Sequence, residues 1–215
     1  MMILIPLLAS LILGLVGGIA GSRWINHLYQ QQPSVLSFPA QLSARGKVRP
    51  SGLALILTLL FCWILLTMGD RGIPMSIFLL LFDYFLVLYT FTDFEQQVIF
   101  DHMLIPFAVI GLVQTVVLQQ ALLDHLTAAA AGGIIFLLLA ILTRGGIGGG
   151  DIKLIAALGL WLGIDNLLSV SMAGLVLGGI AAFFLILTGK KKRTDYFAYG
   201  PYFTLTAIIL TTIPT

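Results

Sequence analysis

Gly145-Gly146-Ile147-Gly148-Gly149-Gly150-Asp151-Ile152-Lys153-Leu154 sets five glycines and one carboxylate between two long apolar runs. Glycine gives the backbone access to positive φ and lets another chain approach closely, at an entropic cost. A carboxylate beside such a loop, at the edge of a membrane span, marks a candidate functional site. Five glycines in six positions exceed what a tight connection requires. The flanking runs, near 127–143 and 152–165, read as helices, so the stretch joins two spans and decides the fold around it.

Working outward, the whole chain has the same character. It is 59% hydrophobic and 9% charged, with a mean hydropathy of +1.07, against roughly 25% charged residues in soluble proteins. The class is therefore all-α and polytopic in a membrane. Cutting the apolar runs at charge clusters and at Gly or Pro gives eight spans, near 2–22, 52–68, 75–91, 103–120, 127–143, 152–165, 167–188 and 198–213. The 152–188 region also reads as a helix pair split elsewhere. Residues 1–74 hold two spans with a short cytoplasmic loop over 29–51, and 75–215 hold a core of about six. Gly14, Gly17, Gly18 and Gly21 form two overlapping GxxxG patterns suited to close helix packing. That first run reads as a span rather than a cleaved signal peptide, since it lacks a basic n-region and Arg23-Trp24 follow at once. The net charge of +2 carries no nucleic-acid footprint. The single cysteine, Cys62, forms neither an internal disulfide nor a CxxC pair.

The cations orient the spans. Arg23, Arg45, Lys47, Arg49, Arg144, Lys153, Lys190, Lys191, Lys192 and Arg193 fall on one side, and only Arg71 on the other. Loops rich in Lys and Arg stay in the cytoplasm, so both termini face outward. Lys190–Arg193 serve as a topology anchor facing anionic lipid.

Of nine acids, Asp70, Asp124 and Asp165 fall in short outer loops as solvated turn residues, and Asp195 answers the basic cluster around it. Asp83, deep in the third span, reads as structural. Asp93 ends the third span and Asp151 opens the sixth, at similar depth on the inner side. Two carboxylates from different helices that share a proton divide the work: one acts as base on a water, the other as acid. A helix start favours the ionised form and a helix end disfavours it, which makes Asp151 the base and Asp93 the acid of a coupled pair. No serine sits in a G-x-S-x-G elbow, and the glycine loop lacks the G-K-[ST] ending of a P-loop. Metal binding by Asp93, His102 and Asp151 is the weaker reading. An ion- or proton-coupled transporter using Asp83, Asp93 and Asp151, with the glycine loop as a broken-helix element, stays open as the alternative.

Gly148-Gly149-Gly150-Asp151 fits the GxGD signature of intramembrane aspartyl proteases. The wider Gly146–Leu154 stretch resembles the G-M-G-x-G-D-x-K-L of type IV prepilin peptidases. Asp93-Phe94-Glu95-Gln96-Gln97-Val98-Ile99-Phe100-Asp101 resembles that family's other motif, in which an aspartate precedes an I-P-D or L-P-D triplet. Tyr199-Gly200-Pro201-Tyr202 resembles its late F-G-P-F segment. The resemblance implies Asp93 and Asp151 as the catalytic pair and Gly146, Gly148, Gly149 and Gly150 as a catalytic loop, while Asp101 matches the last, non-catalytic position of the triplet. Lys153, next to Asp151, and the acids Glu95 and Asp101 are candidate supporting residues by their position and charge. It implies an aspartic endopeptidase of the bacterial inner membrane, active on its cytoplasmic side, that removes the basic leader of type IV pilin-like precursors. A protease for other helical substrates, closer to presenilins, is a second reading. Phe100 stands where the family has proline. Many members carry two zinc-binding CxxC pairs in the first cytoplasmic loop, and the 29–51 loop has no cysteine, so no metal is expected. Proteolysis needs no cofactor; S-adenosylmethionine enters only if the family's N-methylation is retained. A basic leader finds poor partners among cytoplasmic cations, which leaves the precursor's apolar helix, or Glu95 and Asp101, to dock it.

Overall fold

The computed structural model describes residues 3–67, 71–143, 146–190 and 197–213. Met2, Met68, Asp70, Arg144, Gly145, Lys191, Lys192, Arg193 and Asp195, all used above, lie outside the described residues. Among the described residues the structure is helical throughout, with seven α-helices, two 3-10 turns and no strand. Five helices are long and apolar enough to cross a bilayer. Exposed Leu8, Leu138 and Leu168 are typical of their outward faces, which suits lipid and not water. This is a multi-pass membrane protein. The chain falls into two compact units, Met1–Val98 with Thr211–Thr215, and Ile99–Leu210.

The first unit contains α1 (Leu4–Gln31), α2 (Leu42–Thr67) and α3 (Ile73–Gln96). The overlapping GxxxG patterns seat both neighbours of α1. A Cβ at Gly18 would stand 2.6 Å from the Ala54 Cα, and one at Gly14 2.7 Å from the Thr58 Cα, so α1 and α2 touch backbone to backbone. Gly21 turns instead to Leu88 of α3, and Gly17 lies between Leu57 of α2 and Tyr84 of α3. Small residues allow this approach, and dispersion then replaces the hydrophobic drive that lipid does not supply. The 29–51 connection is shorter than its apolar boundaries implied. Helix α1 runs on to Gln31 and α2 starts at Leu42, leaving only two 3-10 turns between them. Arg, Lys and Gln are good helix formers, so the helices outlast their apolar stretches.

The second unit contains α4 (Asp101–Val117), α5 (Leu122–Leu142), α6 (Gly149–Leu187) and most of α7 (Gly200–Thr212). Helix α6 is two arms, because Gly163 breaks it at φ 71°, ψ −178°. Ile155 and Leu167 both lie against Gly132 of α5. Twelve residues of continuous helix would put them about 18 Å apart, so the chain reverses at Gly163. The arms, 149–162 and 164–187, fix the split of the 152–188 region and bring the described residues to eight helical segments. That is close to the eight spans read from the sequence, although only five helices are long and apolar enough to cross a bilayer. Around the reversal, the Ile164 N–H donates to Asp124 Oδ2 at 3.2 Å, capping the second arm. His125 Nδ1 and the Thr115 hydroxyl reach the Leu160 carbonyl at the end of the first, at 3.0 and 3.2 Å. Asp124 is therefore a hairpin cap and not a solvated turn residue; Asp165 is exposed, as expected. Gly163→Ala places a Cβ against the Asp124 carboxylate in a conformation that is essentially glycine-only. It is expected to destabilise the fold by about 1–3 kcal/mol, read as a lower thermal midpoint in detergent.

Candidate active site

In the first unit, Asp93 lies in the last turn of α3, 5% exposed. The helix ends because Gln97 turns into the left-handed region at φ 53°, its N–H returning to the Asp93 carbonyl at 2.9 Å. A non-glycine residue held there needs support around it, and three contacts supply it. Arg45 Nη1 donates to the Phe94 and Glu95 carbonyls, at 3.1 and 2.6 Å, answering acceptors the helix leaves open. The Gln96 side chain accepts from the Phe38 N–H at 2.8 Å and donates to the Phe38 carbonyl at 3.0 Å. Arg49, 2% exposed, clamps Glu95 through Nε to both oxygens at 2.9 Å and through Nη2 at 2.7 Å. The Tyr29 hydroxyl adds a 3.0 Å bond to Glu95, its ring lies 5.0 Å from the Arg49 guanidinium, and Asn26 accepts from Arg49 Nη1. Asp93 thus sits on a braced helix end.

In the second unit, Asp151 lies in the first turn of α6, also 5% exposed. Its Oδ2 accepts from the Gly148 N–H at 3.3 Å, closing the helix start. The Gly200 N–H hydrogen-bonds the same carboxylate, so the Tyr199–Tyr202 segment meets the glycine loop. None of Gly146, Gly148, Gly149 and Gly150 has positive φ. The loop uses glycine for closeness instead. A Cβ at Gly150 would lie 3.2 Å from the Ile99 Cβ, whereas one at Gly149 would meet nothing within 4 Å among the described residues.

Lys153 Nζ bonds both Asp101 oxygens, at 2.7 and 2.8 Å, in an exposed pair joining the starts of α4 and α6. Phe100, in place of proline, leaves α4 starting at Asp101. Glu95 and Asp101 are both engaged by cations of the chain itself, Glu95 in a buried pair and Asp101 in an exposed one. Asp83 is fully buried, with neither oxygen hydrogen-bonded among the described residues, and the structure assigns it no role. Among the described residues no three His, Cys, Asp or Glu side chains gather to hold a metal ion. Sequence reasoning missed Arg49, Arg45 and Gln96 as supports of Asp93. The four-residue spacing of Arg45 and Arg49, which puts both on one helix face, was the available signal.

The profile of the type IV leader peptidase family matches residues 77–183, a span that contains both Asp93 and Asp151. The chain belongs to that family. It is 34% identical over 134 residues to a prepilin leader peptidase/N-methyltransferase of Neisseria gonorrhoeae, covering 60% of this chain and 46% of the relative. A relative of the same description from Bacillus subtilis is 34% identical over 76 residues, 35% of this chain and 31% of its own. One from Aeromonas salmonicida is 33% identical over 129 residues, 57% of this chain and 44% of its own. The chain thus spans less than half the length of these relatives. No solved structure matches it.

Proposed function

We propose that this family member is a membrane aspartyl endopeptidase that removes the leader of pilin-like precursors at the cytoplasmic face, with Asp93 and Asp151 as its catalytic pair. The observation that carries this is the setting of the two acids. Each is buried at a helix end, within the matched family segment. Asp151, at the positive end of α6, acts as the base, and Asp93, at the negative end of α3, as the acid. The Asp151 carboxylate takes a proton from water as the oxygen bonds to the scissile carbonyl carbon. Asp93 donates its proton to the carbonyl oxygen. When the C–N bond breaks, the amine leaves with a proton returned through the pair. No step needs a metal or cofactor. The family match favours this over ion transport, and a pilin-like substrate follows the names of the relatives.

Gly149 is exposed and has no neighbour among the described residues for a Cβ to crowd, which leaves room there for a substrate backbone. Gly149→Ala is expected to keep the thermal midpoint and lower kcat/KM, because the extended substrate backbone must come close to Asp151. Gly150→Ala must push Ile99 aside by a few tenths of an ångström, lowering both stability and rate. Cleavage by Gly149→Ala at the wild-type rate would leave the glycine only a structural role.

The test is incubation of the purified chain with a pilin-like precursor in lipid, with product masses read. Cleavage at the leader junction supports the reading, and an intact precursor rejects it. Adding S-adenosylmethionine to the same assay shows by mass whether the new N-terminus gains a methyl group.

A further inference from the structure

Between α2 and α3 runs a groove of about 470 Å³, within the size range of small-molecule sites. Val48, Gly52 and Ile56 of α2 and Phe91 and Phe94 of α3 give it an apolar wall, and Arg45 stands in its lining. The groove stays open because residue 52 is glycine, where even a Cβ would come within 3.4 Å of the Phe91 ring. Charge is unbalanced there. Glu95 is matched by Arg49, while Arg45 spends Nη1 on the α3 carbonyls and pairs with no carboxylate among the described residues.

We propose that this groove holds one anionic phospholipid, with its phosphate on the Arg45 guanidinium and an acyl chain along Val48, Gly52, Ile56 and Phe91. A long apolar trough ending in one unmatched guanidinium, on helices that cross a bilayer, complements that molecule in shape and in charge. The precursor is the poorer occupant. At 100° per residue, Asp93 lies about 130° round α3 from the centre of the Thr90–Phe91–Phe94–Glu95 face, so the groove looks away from the acid. The site is independent of the peptidase reading.

Native mass spectrometry of the full chain tests it, with phosphatidylglycerol and phosphatidylcholine of identical chains. Wild type is expected to retain phosphatidylglycerol about fivefold better, the effect of one near-surface charge. Arg45→Gln should erase that preference while still holding lipid. Gly52→Leu, which adds helix propensity and fills the trough, should lose both lipids with its thermal midpoint kept. Should Arg45→Gln fail to fold, Gly52→Leu decides: retained phosphatidylglycerol overturns the proposal and lost phosphatidylglycerol supports it. Equal retention of the two lipids by wild type overturns it as well. So does displacement by inorganic phosphate, which would mark a simple anion site, or by the precursor, which would mark a substrate groove.

Discussion

Asp93→Asn and Asp151→Asn are each expected to lower leader cleavage by about 10³-fold or more, with helical content and thermal midpoint close to wild type. Asparagine keeps the size of the side chain, and its carbonyl oxygen still accepts from the Gly148 N–H that Asp151 caps. Only proton traffic is removed. If the acids act as one unit, the double variant is no slower than either single one, since losing either partner already stops the shared proton transfer. A dead Asp151→Asn beside a fully active Asp93→Asn would break the pair and move the acid elsewhere. Rates measured on purified protein with a fixed precursor, beside circular dichroism of the same samples, separate loss of chemistry from loss of fold.

The second large effect lies in the buried ion pair that braces Asp93. Glu95→Gln strands the Arg49 guanidinium, whose side chain is 0% exposed; Arg49→Met strands the Glu95 carboxylate. Breaking a buried pair from one side costs about 3–5 kcal/mol, so both single variants should unfold at clearly lower temperature. The Arg49→Met/Glu95→Leu double variant should recover much of that loss, because apolar packing of similar volume is often as stable as the pair. Activity separates stability from positioning. The double variant should fold yet cleave slowly, since the last turn of α3 no longer holds Asp93 in place. A double variant that is both stable and fully active would confine the pair to folding.

Much of the architecture was legible because its signals are local. Glycines four apart gave the α1 packing face, and Gly and charge punctuation gave eight helices. Asp93 and Asp151 stood out because acids are rare in apolar runs. The supporting contacts were not legible, because their partners lie far apart in the chain. Arg49 and Glu95 are 46 residues apart, and Asp101 and Lys153 are 52 apart. Read alone, each of these cations is a topology marker and each acid a free charge. Asp124 escaped for the same reason: its partner, the Ile164 N–H, exists only once the chain has reversed at Gly163. The helical ends of the 29–51 connection were hidden because hydropathy reports where a helix is apolar, not where it stops.

The reversal at Gly163 also bears on how the first arm of α6 sits in the bilayer. The arm that begins at the Asp151 end of α6 has about 14 residues before the turn and rises about 21 Å. A bilayer's hydrocarbon core is about 30 Å thick. The arm therefore stops about 9 Å short of a full crossing, and it is buried among its neighbours at Leu154, Ile155, Leu158 and Trp161 rather than turned to lipid. Its far end lies where a polar cap, Asp124, and a glycine turn stand in for the missing helix, so the depth of this end is set by protein contacts and not by bilayer thickness.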